Sequence, residues 1–368
     1  GIKMKKKFLL NNKEFQPGEI GQTKIGIGND SLGREISIEI LVINGIKEGP
    51  TIGCFGAIHG DELNGTGILH HLSQGFDHLS RTSDDLINPK SLSGALILVP
   101  LANPSAVLSG TRYGPDGRDL NRQFPGNKKG NWSRRLAHTL FHQIVIKCDM
   151  IVDLHTAPSS RLNIPHIRVD LENKKAKKMA QLFGLQLILH SKGSNGTLRN
   201  AAMEYGIPTI LLEAGTSHKF EPEMVRLGLR GLLELFSGLN MIEKRNKICS
   251  LNLIVKKSRW IRSTKGGLLH LSVDGGDIVD IGDEIGTIVN PLGEKTETIL
   301  SPVEGIIIGL TTLPTIDIGS PIANIVLLDK NQRTILEKQG VEGIIDAAMD
   351  VTEIIIEDED GLAIDDLS

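Results

Sequence analysis

The sequence of 368 residues is poor in cysteine and aromatic residues, and it lacks any long apolar run. Its three cysteines, Cys54, Cys148 and Cys249, lie far apart and do not show the paired spacing of a zinc knuckle or a redox motif. We therefore interpret them as reduced thiols of a cytoplasmic protein. No stretch of about 18 consecutive apolar residues occurs, so the sequence predicts no helix that spans a bilayer.

An excess of charge of either sign is also missing. The formal net charge is −3, which gives no reason to expect a nucleic-acid partner. The basic start, Met4-Lys5-Lys6-Lys7, is followed by only a short apolar stretch before Asn11, so it does not predict an export signal. With 39% hydrophobic residues, the chain is expected to be globular, with two domains or one large domain and an appendage.

Two patterns organise the first two thirds of the chain. Residues 18–45 alternate between apolar and polar positions around a turn-rich segment, which predicts a β-hairpin. Beyond them, apolar strands alternate with amphipathic helices, which predicts an α/β fold with a mostly parallel sheet flanked by helices. The strands are expected at Thr51–Ala57, Ala95–Pro100, Met150–Leu154 and Thr209–Leu212, and the helices near 61–73, 132–146, 172–183 and 197–205.

The C-terminal third is rich in glycine and in short apolar runs. Turn signals such as Gly275-Gly276 and Gly282-Asp283 recur at short intervals, which predicts an all-β module over 251–330. Residues 331–368 are expected to form a C-terminal extension with an acidic tail. We therefore predict a main domain over 1–250, followed by these two parts.

Polar side chains occur where the predicted parallel strands end, at the edge where open α/β sheets bind ligands. His59 and Glu62 follow the first of these strands, and His155 ends a later one. Two imidazoles and a carboxylate form a ligand set of catalytic zinc sites, which keep a fourth position for water. Taken one at a time, His59 could instead form hydrogen bonds within a loop, and Glu62 could compensate the positive end of a helix dipole. His138 and His142 lack an acidic third ligand nearby, and we interpret them as structural.

Glu213 follows an apolar strand, where a carboxylate is costly to bury without a partner or a purpose. Near a metal it could move a proton between water and a leaving group, whereas beside an arginine it would form an ion pair. The turn-rich loop 112–122 carries Arg112, Arg118 and Arg122. Guanidinium groups bind carboxylates and stabilise oxyanions, and the alternative interpretation is a solvated basic loop.

Four motifs follow one another along the chain: His59-x-x-Glu62, Asp119-Leu120-Asn121-Arg122, Asp153-Leu154-His155 and Leu212-Glu213-Ala214-Gly215. In this order they resemble the motifs of the succinylglutamate desuccinylase/aspartoacylase family, a branch of the zinc carboxypeptidase fold. The resemblance implies one Zn²⁺ per chain on His59, Glu62 and His155. It also implies that Glu213 acts first as a general base and then as a general acid.

The same resemblance implies that Asn121 and Arg122 hold a substrate carboxylate and that Arg112 polarises the scissile carbonyl. The spacing from Arg112 to the Asn-Arg pair is longer than in aspartoacylases, so Arg118 competes with Arg112 for this role. The expected reaction is hydrolysis of an amide bond in a small carboxylate-bearing N-acyl amino acid. The alternatives are a metallocarboxypeptidase acting on peptides and a non-catalytic protein that binds a small acid. A homo-oligomer is compatible with the sequence.

Residues from about 258 to 328 resemble the barrel-sandwich module of lipoyl and biotinyl carriers. Lys295 is near the predicted hairpin tip where a carrier bears its modified lysine, but its flanking residues lack the carrier pattern. We expect instead a structural cap that narrows access to the zinc cleft or forms an oligomer interface.

Overall fold

The computed structural model describes residues 7–74, 87–245 and 252–339. The strands are β1 (Phe8–Leu10), β2 (Lys13–Phe15), β3 (Glu19–Asn29), β4 (Glu35–Asn44), β5 (Lys47–Gly56), β6 (Ser93–Val99), β7 (Met150–His155), β8 (Arg161–Val169), β9 (Leu187–His190), β10 (Thr209–Thr216), β11 (Leu253–Val255), β12 (Ser258–Arg262), β13 (Gly267–Leu271), β14 (Ile278–Val279), β15 (Glu284–Val289), β16 (Lys295–Leu300), β17 (Gly305–Thr311), β18 (Thr315–Ile316) and β19 (Pro321–Leu327). The helices are α1 (Asn64–Ser73), α2 (Pro104–Ser109), α3 (Trp132–Gln143), α4 (Lys174–Phe183), α5 (Leu198–Glu204), α6 (Pro222–Gly238) and α7 (Lys330–Gln339), with 3-10 turns at Leu120–Arg122 and Val145–Lys147.

A mixed sheet of 13 strands forms the centre of the fold, in the order β12-β19-β17-β8-β10-β7-β5-β6-β4-β3, with β9, β11 and β14 paired off this path. Its central strands β6, β5, β7 and β10 are parallel, as predicted. Antiparallel strands extend the sheet on both sides. The hairpin expected at 18–45 consists of β3 and β4, and the predicted helices and strands of the α/β region are present. The expected fold class, α/β with a sheet flanked by helices, is confirmed.

Helices cover both faces of the parallel strands. Along β5, Ile52 and Cys54 point to a cluster that includes residues of α1, α4 and α6, whereas Phe55 points to a cluster that includes residues of α3 and α5. Successive residues of a strand face opposite sides of the sheet. Because helices cover both sides, the β5 side chains on each side are buried. Burial on both faces explains why these strands appear in the sequence as continuous apolar runs.

The C-terminal part contains a four-stranded antiparallel sheet, in the order β16-β15-β13-β18, with an apolar core that includes Ile285 and Ile288. The neighbouring strands β17, β19 and β12 join the main sheet through β8. The domain boundaries at 250 and 330 remain predictions. Cys249 and the acidic tail lie outside the described residues. Within the described ranges, no helix combines the length and the apolar character needed to cross a membrane.

Candidate active site

The candidate metal ligands lie where central parallel strands end. After β5, Ala57 has a φ of +52°, an uncommon value for a residue with a side chain, and the chain turns there before His59 and Glu62. His155 is the last residue of β7, which is hydrogen-bonded to β5. Because parallel strands end at the same edge of a sheet, residues that are distant in the sequence meet at this point.

His59, Glu62 and His155 are buried, and their ligand atoms lie within 4.8 Å of one another. The Nδ1 atom of His59 is 2.8 Å from Glu62 Oε1, and the Nδ1 atom of His155 is 2.8 Å from Glu62 Oε2. Among the residues that the structure describes, this is the one group of His, Cys, Asp and Glu side chains arranged to hold a metal ion. The structure thus brings together the three residues that the sequence predicted as metal ligands.

Two more carboxylates contact the outer nitrogens of these imidazoles. Asp119 Oδ1 is 3.0 Å from His59 Nε2. Asp153 Oδ2 is 2.9 Å from His155 Nε2, an ion-pair distance without the alignment of a hydrogen bond. A carboxylate on the outer nitrogen fixes the orientation of an imidazole and leaves the other nitrogen for a metal.

The electrostatics of the cluster favour positive charge. Burial lowers the pKa of the His59 and His155 imidazoles, but the surrounding carboxylates raise the pKa of both by more. Burial also raises the pKa of Glu62, yet the two imidazoles hold that pKa well below its ordinary value. Two nitrogen donors and a carboxylate that face one point, backed by further negative charge, fit a divalent cation such as zinc.

Glu213 lies on β10, directly opposite His155 of the neighbouring parallel strand β7. The side-chain Nδ2 of Asn163 donates a hydrogen bond of 3.0 Å to Glu213 Oε2, and Arg168 Nε is 3.7 Å from Oε1. Burial raises the pKa of Glu213, although Arg168 and His155 lower it. A carboxylate with a raised pKa is better matched to accepting and releasing a proton near neutral pH.

The structure separates the two arginines that compete for the carbonyl-polarising role. Arg112 lines the cavity beside the cluster. Its Nη1 donates to Glu62 Oε1 at 2.9 Å, and its Nη2 donates to Asp119 Oδ2 at 3.3 Å. Arg118 is exposed and does not line this cavity. The geometry therefore favours Arg112 over Arg118 as the arginine next to the candidate metal ligands.

Asn121 and Arg122 also line the cavity, in a 3-10 turn. Asp119 fixes the start of this turn, because its Oδ1 accepts a hydrogen bond from Asn121 N at 2.9 Å. The Asn121 Oδ1 accepts a hydrogen bond of 2.8 Å from the backbone N–H of Leu198, and Arg122 Nη1 donates to the carbonyl of Asn121 at 2.7 Å. The turn holds both residues at the edge of the cavity.

Two arginines that the sequence analysis did not single out complete the cavity, Arg168 on β8 and Arg199 on α5. Arg199 is 5% exposed and donates to the backbone and side chain of Ser191, but its Nε has no hydrogen-bond partner in the described part of the chain. Burial and the nearby Arg168 lower the pKa of Arg199 to about 10. For Arg168, the available signal was an arginine between the apolar residues Ile167 and Val169.

The cavity is small and rich in positive charge. Its volume is about 210 Å³. Its charged lining consists of the arginines Arg112, Arg122, Arg168 and Arg199 and the carboxylates Glu62 and Glu213, besides the histidines His59 and His155. Positive charge in a confined cleft attracts anions, so the cavity suits a small ligand with a negative charge.

Comparison with known proteins gives a consistent set of relatives. The family model described as the succinylglutamate desuccinylase/aspartoacylase catalytic domain matches residues 48–239, which span the strands and loops of the site. A curated relative, the N-alpha-acetyl-L-2,4-diaminobutyric acid deacetylase of Halomonas elongata, is 28% identical over 297 residues, which cover 77% of this chain and 82% of that protein.

Solved structures share the fold over most of the chain. A succinylglutamate desuccinylase/aspartoacylase from Rhodobacter sphaeroides aligns with a TM-score of 0.73 at 25% identity and covers 84% of this chain and 95% of its own. The product-bound ectoine utilization protein EutE (DoeB) from Ruegeria pomeroyi also aligns with a TM-score of 0.73, at 21% identity and with the same coverage. At 21% identity, the similarity to EutE (DoeB) concerns the fold alone.

Proposed function

Since the chain belongs to the succinylglutamate desuccinylase/aspartoacylase family, whose catalytic-domain model matches more than half of it, we propose that it is a zinc-dependent deacylase of small N-acyl amino acids. The observation that carries this proposal is the convergence of His59, Glu62 and His155, with Glu213 opposite His155 on the next strand. The relative named as a deacetylase of an N-acetylated diamino acid supports the reaction class.

We assign the zinc to His59 Nδ1, the Glu62 carboxylate and His155 Nδ1. When bound, zinc supplies a Lewis acid, which polarises a carbonyl group and lowers the pKa of water toward neutrality. The Asp119 carboxylate orients the His59 imidazole through its contact with Nε2, and the Asp153 carboxylate places a negative charge 2.9 Å from Nε2 of His155.

Proton transfer is assigned to Glu213. In its ionised form the carboxylate takes a proton from the attacking water, and in its protonated form it passes that proton to the departing amine. The burial that raises its pKa favours this exchange, since a carboxylate with an ordinary pKa holds a proton too weakly to deliver it at neutral pH.

The substrate carboxylate is assigned to Asn121 and Arg122, because a guanidinium group binds a carboxylate through two parallel hydrogen bonds. We assign to Arg112, which lines the cavity beside Glu62, the stabilisation of the negative charge that develops on the carbonyl oxygen. The arginine excess of the cavity supports a substrate with a carboxylate, and the volume of about 210 Å³ supports a small one rather than a peptide.

The test is a screen of the zinc-loaded protein against N-acetyl, N-succinyl and other N-acyl amino acids, with the released amine as the readout. Glu213→Gln is the matched variant, because it keeps the shape of the side chain and removes the carboxylate. Its kcat on the best substrate is expected to fall by about 10²–10⁴, with unchanged zinc content.

Each other outcome points to a different conclusion. Equal kcat in the parent and in Glu213→Gln would contradict the proton-transfer role of Glu213. Release of the C-terminal residue from unblocked dipeptides, without hydrolysis of N-acyl amino acids, would identify a carboxypeptidase. Stoichiometric zinc without turnover of any of these compounds would identify a non-catalytic protein that binds a small acid.

A further inference from the structure

Strand β8 lies between the candidate active site and the strands β12 to β19, which we call the C-terminal β region. It lies between β10, which carries Glu213, and β17, and it is antiparallel to both. One residue of β8, Asn163, lies opposite Gly215 of β10 and opposite Gly309 of β17. Because neither glycine has a side chain, the Asn163 amide has no side-chain neighbour directly across either strand pair.

An extra residue in β8 determines the face to which Asn163 points. The pairing of β10 with β8 passes from Glu213 opposite His166 to Gly215 opposite Asn163, so a step of two residues on β10 matches a step of three on β8. Such a β-bulge moves all residues beyond it to the other face of the sheet. In a regular ladder, Ile164 would lie opposite Gly215, and Asn163 would point away from Glu213.

The bulge gives Asn163 its contact with the carboxylate that we assign to proton transfer. Asn163 is buried, and its Nδ2 donates to Glu213 Oε2 at 3.0 Å. A neutral amide orients a carboxylate without adding a charge beside it. We propose that Asn163 is a positioning residue for Glu213 and that Gly309, in the C-terminal β region, leaves the space that the Asn163 side chain needs for this contact. This inference rests on the proposed function of Glu213.

Gly309 provides the space that the Asn163 side chain needs. A Cβ atom at position 309 would lie 2.8 Å from Asn163 Oδ1 and 3.6 Å from the Cβ of Asn324. Since the first distance is shorter than van der Waals contact, the amide would have to turn or shift. The same amide is hydrogen-bonded to Glu213, so a displaced amide would weaken or break its hydrogen bond to the Glu213 carboxylate.

A double-mutant cycle separates this role from general damage. Gly309→Ala and Asn163→Ala are each expected to lower kcat by about tenfold, with KM changed by less than about twofold, because Glu213 loses its orientation while the arginines of the cavity are untouched. In the Asn163→Ala background, Gly309→Ala should lower kcat no further, because the atom that its Cβ would meet is absent.

Gly275→Ala is the matched control. A Cβ at this position would also contact β8, at 3.0 Å from Ile164 Cγ2 and 3.1 Å from Leu162 Cδ1. No atom of Asn163 would lie within 4 Å of it. This variant should lower the melting temperature while changing kcat by less than about twofold. It shows how much activity depends on the packing of β8 alone.

The proposal is overturned if Gly309→Ala lowers kcat equally with and without Asn163, or if Asn163→Ala retains full kcat. Should Gly309→Ala fail to fold, the kcat and KM of Asn163→Ala decide the matter. If the parent turns over no N-acyl amino acid, the proposed function fails, and the crystal structure of Gly309→Ala tests the coupling instead. The distance from Asn163 Nδ2 to Glu213 Oε2 must then exceed about 3.5 Å, and a retained hydrogen bond would refute the coupling.

Discussion

The candidate active site and the four-stranded C-terminal sheet differ in the exposure of their charged side chains. In the site, His59, Glu62 and His155 are each less than 5% exposed and contact one another. In the C-terminal sheet, Glu284 and Lys295 are exposed to solvent. Burying a charge is expensive unless a counter-charge compensates it, whereas an exposed charge costs little. This difference is consistent with the proposed functions of the two regions: chemistry at the buried charges of the first, and a mainly structural contribution from the second.

The largest expected effect concerns a metal ligand. His155→Ala should lose the zinc and lower kcat/KM by more than about 10³, because the donor set loses one of its two imidazoles. Metal content and turnover are measured on the same sample. His142→Ala, which removes an exposed histidine of α3, is the matched control and should keep both. One zinc per chain in His155→Ala would show that the ligand assignment is wrong.

The second effect distinguishes the two competing arginines. Arg112→Ala should lower kcat/KM by about 10²–10³, because it removes a donor near the developing oxyanion. Arg118→Ala should change kcat/KM by less than about threefold, because Arg118 is exposed and outside the cavity. Zinc content is checked in both variants, since Arg112 also pairs with Glu62. A reversed order of the two effects would transfer the carbonyl-polarising role to Arg118.

The sequence was sufficient to predict the central strands and the convergence of the candidate metal ligands. The reason is physical: in parallel strands, the side chains that follow each strand meet at one edge, whatever lies between them in the chain. The sequence alone therefore groups His59, Glu62 and His155 at one edge of the sheet, and it adds Glu213 to them. Their proximity follows from the pairing of β5, β7 and β10 together with the turn after β5 that leads to His59 and Glu62.

The contribution of β8 could not be predicted in the same way. Arg168 reaches Glu213 because β8 lies beside β10, and Asn163 does so because β8 also carries a bulge. Neither the strand order nor the bulge is evident from local patterns. Arg199 lies on a short helix after a glycine-containing loop, without periodicity that distinguishes it from a surface arginine. The proposed role of Gly309 depends on Asn163, a side chain on another strand.

The smallest expected effect is at Lys295, the residue that a carrier function of the C-terminal region would modify. Lys295 begins β16 and pairs with Val289, whereas the exposed tip of the hairpin carries Leu292, which is 87% exposed. Lys295→Ala should leave kcat unchanged and alter the free energy of unfolding by about 0.5 kcal/mol or less, as for other exposed side chains.

The intact mass of the parent chain, co-expressed with a lipoyl or biotinyl ligase, is the accompanying measurement and should show no added group. An adduct that Lys295→Ala abolishes would contradict this expectation. It would also break the contrast between the two regions, because a charged residue of the C-terminal sheet would then carry chemistry of its own. An unmodified lysine would leave Gly309, a residue without a side chain, as the proposed route by which this region acts on Glu213.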